Sequence, residues 1–246
     1  MILLDHLLLL IPAFAHPIAG YISFRRLLKR IRAGEVIDRV RLYDATIISH
    51  WTLFGITMAL WAGAGRDWQS LGLGLTIDGN FLAGLLLTLI GIAFLALQLR
   101  EVSGATTTEL DRVREQLGNL EFIIPRNGRE LGRFYGLSLT AGIVEELLWR
   151  GYMIWYLEHF MPLWAAAVLS TIGFAAAHAY QGIANLPRIT IVGAFFAGLY
   201  LLTGSIWLPV ILHAAVDILQ GRTAYEVLRR PEPARTPPAD AHDEEA

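Results

Sequence analysis

The sequence predicts an all-α, polytopic membrane protein of about seven transmembrane helices around a cytoplasm-facing polar cavity. Three observations carry that prediction. Hydrophobic residues make up 54% of the 246 residues, and charged residues only 17%, against about 25% in a soluble domain. Apolar runs long enough to cross a bilayer recur along the chain. Between them, Lys and Arg clusters fall in alternate loops, the pattern that marks cytoplasmic sides. The net charge of −2 says little, because the placement of charge outweighs its sum. No basic face suited to nucleic acid is present. Without cysteine, disulfides, thiolate metal sites and cysteine nucleophiles are excluded.

The first apolar segment runs from Ile2 to Phe24. A cleaved signal peptide is the rival reading, with Ala13-Phe14-Ala15 as a small-residue site. The start carries Asp5 and no Lys or Arg, a poor signal n-region, so a retained span is expected. Asp5, His6 and His16 are expected at its ends and rim, and Pro12 and Pro17 to kink it. The basic cluster Arg25 to Arg32, with Arg39 and Arg41, follows as a topology signal. Ala45 to Ala64 is the second span, and its His50 reads as a hydrogen-bonded structural residue. Arg66 to Asn80 is a short external loop, and Phe81 to Leu99 the third span.

Arg100 to Arg133 is a polar connector in which Thr108 to Glu115 reads as a capped surface helix. The fourth segment starts at Phe134, the fifth runs from Leu163 to about Gln181, the sixth from Ile189 to Thr203 and the seventh from Ile206 to Gln220. Pro231 to Ala246, rich in Pro, Ala and acids, reads as disordered tail. Three parts result: residues 1–133 with three spans and the connector, a core at 134–220, and a tail at 221–246. Seven spans put the N-terminus outside, the C-terminus in the cytoplasm and every basic cluster on one side, as in a bacterial inner membrane protein.

Within the core, ionisable residues gather at Glu145/Glu146/Arg150, at His178, and at His213/Asp217. Charges at membrane depth each cost about 2.5–3.5 kcal/mol on insertion scales, so a chain that retains them uses them. Glu146 and Arg150 are four apart on a helix and can pair, while Glu145 points about 100° away and is left free for chemistry. His213 and Asp217 share a face. At about 1.5 Å per residue, Glu145 lies about 18 Å from Arg133 and His213 about 13 Å from Arg222, so the groups can converge in a cavity open to the cytoplasm.

Four readings stay open on these residues. A carboxylate in a partly dry site can act as general base toward water, with one His holding the water and a second polar pair facing the oxyanion. Two histidines and a carboxylate (Glu145, His178, His213) can hold zinc with an open position for water. A proton relay in a transporter, or a buried network that fixes helix register, would use the same residues.

The set Glu145-Glu146-x-x-x-Arg150, Phe174-x-x-x-His178 and His213-x-x-x-Asp217, in this order on successive helices, resembles the CAAX protease and bacteriocin-processing family of intramembrane endopeptidases. The resemblance covers about Phe134 to Gln220. It implies hydrolysis of a peptide bond in a membrane-associated protein or peptide at the lipid bilayer. By that resemblance Glu145, assisted by His178, activates water, His213 and Asp217 form the oxyanion site, and Glu146 and Arg150 support the geometry. Asp217 stands where eukaryotic CAAX enzymes often carry Asn, and an Asp donates to an oxyanion only when protonated. The family is described both as metalloprotease and as glutamate-dependent without metal. The absence of a His-Glu-x-x-His helix leans the reading to the metal-free version. A non-catalytic membrane binding or immunity protein remains the alternative.

Overall fold

In the computed structural model, which describes residues 3–230, every regular element is a helix. The expectations for the tail beyond Arg230 concern residues outside that range. Four stretches are long and apolar enough to cross a membrane by length and composition: Leu3–Arg32, Arg39–Gly63, Gly79–Val102 and Ile183–Thr203. They fit an integral membrane protein. Leu82, Leu86, Leu89, Ile90, Phe94 and Leu97 are exposed along the third of them, the surface a lipid-facing helix presents.

The first stretch is not one regular helix. Helix α1 (Leu3–Leu10) passes through a π-turn at Ile11–Ala15 into α2 (His16–Arg32). Pro12 lies in that turn, where the His16 N–H bonds to Ile11 O across five residues. The expected kink is thus absorbed as a π-bulge. Asp5 lies in the first turn of α1, at the end of the first span as expected. It is buried (1% exposed) and takes both Arg66 guanidinium nitrogens at 2.7 and 2.6 Å. Arg66 also lies over the rings of Trp61 and Trp155.

Helix α3 (Arg39–Gly63) starts before the second expected span and ends one residue short of it, and α4 (Gly79–Gly104) extends the third at both ends. In the connector, α5 (Thr107–Leu117) carries a capping box between Thr106 and Glu109, starting one residue before the expected segment. Hydrogen bonds from the Thr106 backbone N–H and hydroxyl hold the Glu109 carboxyl below the ordinary glutamate range.

Helix α6 (Gly128–Glu146) runs into a π-helical stretch, Leu147–Met153, and then α7 (Ile154–Glu158). Helices α8 (Leu163–Ala177), α9 (Leu186–Thr203) and α10 (Trp207–Arg229) complete the bundle. Helix α8 ends at Ala177 rather than near Gln181, so its 15 residues reach only about 23 Å. His178 is its C-cap and leads into two short 3-10 turns joined by Gly182 at φ +104°. The main hydrophobic core wraps the π-helical stretch, with Leu147, Trp149, Tyr152 and Ile154 packed against Leu71, Trp61, Ala166 and Phe174.

The basic segments meet at one end of the bundle. Arg39 donates to Phe122 O at 2.9 Å and the Tyr43 hydroxyl to Ile123 O at 2.5 Å. Arg114 donates to the Val227 and Arg230 carbonyls at 3.1 and 2.8 Å, tying the connector to the end of α10. Arg133 pairs with Asp44 at the same end.

Candidate active site

Glycine sets the distance between the two helices that carry most of the charged groups. A Cβ on Gly142 of α6 would lie 2.9 Å from the backbone N of Ala214 and 3.0 Å from Val210 O, both on α10. The backbones therefore touch one turn before Glu145 and Glu146, and His213 is brought within reach of α6. Gly142→Ala forces the helices apart and is expected to lower stability by about 1–3 kcal/mol. Denaturation of the purified protein in detergent checks this; an unchanged melting temperature would contradict so tight an approach.

Glu146 and Arg150 are both fully buried, and Arg150 Nη1 donates to Glu146 Oε1 at 2.9 Å. The pair has the expected partners. Its surroundings explain how a buried arginine is tolerated. Nη2 donates to Gly193 O at 3.0 Å, and the guanidinium lies over the rings of Phe174 and Phe196, 4.4 and 5.4 Å from their centroids. A side chain on Gly193 would meet Phe174 and the same guanidinium. The π-helical stretch that holds Arg150 is steadied from α8 by the Ser170 hydroxyl, which donates to Trp149 O at 2.5 Å.

Glu146 Oε1 also accepts from His213 Nδ1 at 2.7 Å. Its partner ring nitrogen, Nε2, faces Asp217 Oδ2 at 3.8 Å. Phe196 stacks on the His213 ring and Phe174 meets it edge-on. The imidazole is therefore held by α6 and by two aromatic rings, and only its Nε2 edge is left toward Asp217, whose side chain is 36% exposed.

Glu145 faces elsewhere. Its side chain is 16% exposed where that of Glu146 is 0%, so it is the less buried carboxylate of the two. It is not free of partners, as its place in the sequence suggested. Oε1 lies 3.1 Å from His50 Nε2. Oε2 has no hydrogen bond within the described residues and lies 3.6 Å from His178 Nε2. His178 Nδ1 donates to Phe174 O at 2.8 Å, which turns Nε2 toward Glu145.

Glu145 and His178 thus meet, His213 and Asp217 meet, and Glu146 with Arg150 stands behind His213. His50, expected as a hydrogen-bonded structural residue of the second span, is hydrogen-bonded, but the sequence did not show that its partner across the bundle is Glu145. The only signal at His50 was an ionisable group inside an apolar helix; nothing local paired it with a residue 95 positions away. The zinc set Glu145, His178 and His213 does not fit one ion in this geometry. No group of three His, Asp or Glu side chains among the described residues is arranged to hold a metal, and in the expected set His213 is turned to Glu146.

Residues 128–219 match the family model described as type II CAAX prenyl endopeptidase Rce1-like. An uncharacterized 24.3 kDa protein of Escherichia coli is 31% identical over 86 residues, 34% of this chain and 40% of that protein. The chain therefore spans about two fifths of the length of that curated relative. No solved structure matches the chain.

Proposed function

We propose that this chain, a member of the CAAX protease family through residues 128–219, is an intramembrane endopeptidase that hydrolyses a peptide bond of a membrane-associated protein or peptide. One observation carries the reading. Glu145, the less buried of the two adjacent carboxylates, has a buried oxygen without a hydrogen bond facing His178 Nε2 at 3.6 Å, beside a second imidazole, His213, oriented by its own buried carboxylate.

The chemistry is general base catalysis followed by general acid catalysis. Glu145 Oε2 takes a proton from water held by His178. The water oxygen bonds to the scissile carbonyl carbon, and the carbonyl electrons move to oxygen. With Nδ1–H on Glu146, His213 donates from Nε2 as the imidazolium, and that Nε2–H, beside Asp217, stabilises the oxyanion by hydrogen bonding. Protonated Glu145 then gives its proton to the departing amide nitrogen as the C–N bond breaks. Glu146 and Arg150 touch no substrate; they hold the His213 ring. No step in this reading passes through a metal.

The basic end of the bundle, which gathers Arg39, Arg114 and Arg133, lies in the cytoplasm in this reading, with the N-terminus outside. The helices that carry the charged groups complete a seven-span bundle, and the site opens toward the cytoplasmic face where Asp217 is partly exposed. A bacterial plasma membrane and a membrane-bound peptide precursor fit the short loops.

The test is cleavage of a panel of membrane-anchored peptides by the purified protein in liposomes, with and without a chelator. Cleavage that survives the chelator and disappears in Glu145→Gln is the expected result. Loss with chelator and recovery with added zinc would replace the metal-free mechanism. Failure of the wild-type protein to cleave any membrane-anchored peptide would count against the protease reading.

A further inference from the structure

The segment that matches the protease family begins at residue 128, yet the carboxylate at its centre is gripped by a residue from well before it. His50 lies on α3, its side chain 7% exposed. Its Nδ1 is 2.9 Å from Thr46 O, one turn earlier on the same helix. A carbonyl can only accept, so Nδ1 carries a hydrogen and the ring is locked with Nε2 pointing at α6. Nε2 then lies 3.1 Å from Glu145 Oε1. His16, from α2, closes the other side of the ring edge-on, with centroids 5.2 Å apart and planes at 83°.

The two oxygens of Glu145 therefore face two different imidazoles. Both imidazoles are fixed in the same way, Nδ1 to a carbonyl one turn back and Nε2 to the carboxylate. They differ in distance: His50 is within hydrogen-bond range of Oε1, and His178 stands 3.6 Å from Oε2. A hydrogen bond between His50 and Glu145 requires one proton shared by Nε2 and Oε1, since the Nδ1 proton is committed to Thr46. That bond leaves Oε2, buried and without a hydrogen bond, as the oxygen that can take another partner.

We propose that His50 is a positioning residue for peptide-bond hydrolysis: by holding Oε1 it fixes the carboxylate plane and aims Oε2 at His178 and the attacking water. The N-terminal helices are then part of the catalytic apparatus rather than a membrane anchor for it. This rests on the protease reading above.

Removing the grip lets the carboxylate rotate about its terminal torsion, and a misplacement of about 1 Å at a reacting group can cost about 100-fold. His50→Ala is therefore expected to lower kcat by about 100-fold on a peptide that the wild-type protein cleaves, with KM within about threefold. His50→Gln restores an N–H donor at similar reach and recovers kcat to within about tenfold of wild type. A residue that merely packs α3 on α6 would lower the melting temperature and would not separate Ala from Gln in kcat. A second readout does not depend on turnover. In 15N-histidine-labelled protein in detergent, the His50 Nε2 resonance shifts in Glu145→Gln while Nδ1, bound to Thr46, does not. Equal kcat for wild type and His50→Ala overturns the proposal and leaves the protease reading intact, as does an Nε2 resonance indifferent to Glu145. A wild-type protein that cleaves nothing while the resonance shifts overturns the protease reading and the catalytic role of His50 with it, and leaves only the contact.

Discussion

Glu145→Gln is expected to lower cleavage by about 1,000-fold or more while leaving the protein folded. General base and acid catalysis by one side chain contributes about 10²–10⁴-fold, and in the proposed reaction Glu145 supplies both halves. The amide keeps the shape of the carboxylate. Its amide group can still hydrogen-bond to His50 Nε2, which lies 3.1 Å from Glu145 Oε1, so the cost to stability is small, about 1 kcal/mol or less. What is lost is the ability to bind and return a proton. Glu145→Asp makes the complementary test. It retains the proton acceptor but withdraws it by one methylene from His50 and His178, so an intermediate loss of about 10–100-fold is expected. Rates on a membrane-anchored peptide, measured beside the melting temperature of each variant, check both. Glu145→Gln within tenfold of wild type would remove Glu145 as the base and shift attention to Asp217, the other partly exposed carboxylate of the site.

How far the sequence disclosed this arrangement can be judged residue by residue. The spacing of Glu146 and Arg150 was legible because a helix puts positions four apart on one face, and their contact is local. The same logic placed His213 beside Asp217. What periodicity could not show is which partner each group finds across the bundle. Glu146 shares one oxygen between Arg150 and His213, a contact set by the Gly142 crossing of α6 and α10. His50 is the clearer instance, since a lone histidine in an apolar span carries no register signal of its own. Asp5 was expected at the end of its span, but not its burial against Arg66, which comes from the loop after α3, 61 positions away. The apolar runs disclosed the long helices, whereas α8 is shorter than its apolar composition implied. Ala179 to Gln181 form a separate turn there, so His178 ends the helix instead of lying within it.

Arg150→Leu is expected to destabilise the protein by about 3–5 kcal/mol, the cost of leaving one member of a buried ion pair without its partner. Glu146 has 0% exposure and no route to water, and one of its oxygens already lacks a hydrogen bond. Removing Arg150 also strips Gly193 O of its donor and the rings of Phe174 and Phe196 of the cation they face. Arg150→Lys keeps the charge but not the planar fork that reaches Glu146 and Gly193 together, so it should fall between wild type and Leu. The double substitution Glu146→Leu with Arg150→Leu removes both charges and is expected to regain much of the stability, because apolar replacement of a whole buried pair is often neutral or better. It should not regain cleavage. His213 would have lost the oxygen that orients its Nδ1, and the ring would turn about its own side-chain torsions. Unfolding in detergent and peptide cleavage, measured on all three variants, separate the two roles. Arg150→Leu within about 1 kcal/mol of wild type would contradict a buried charge pair, and a stable, active double variant would show that Glu146 does not act through His213.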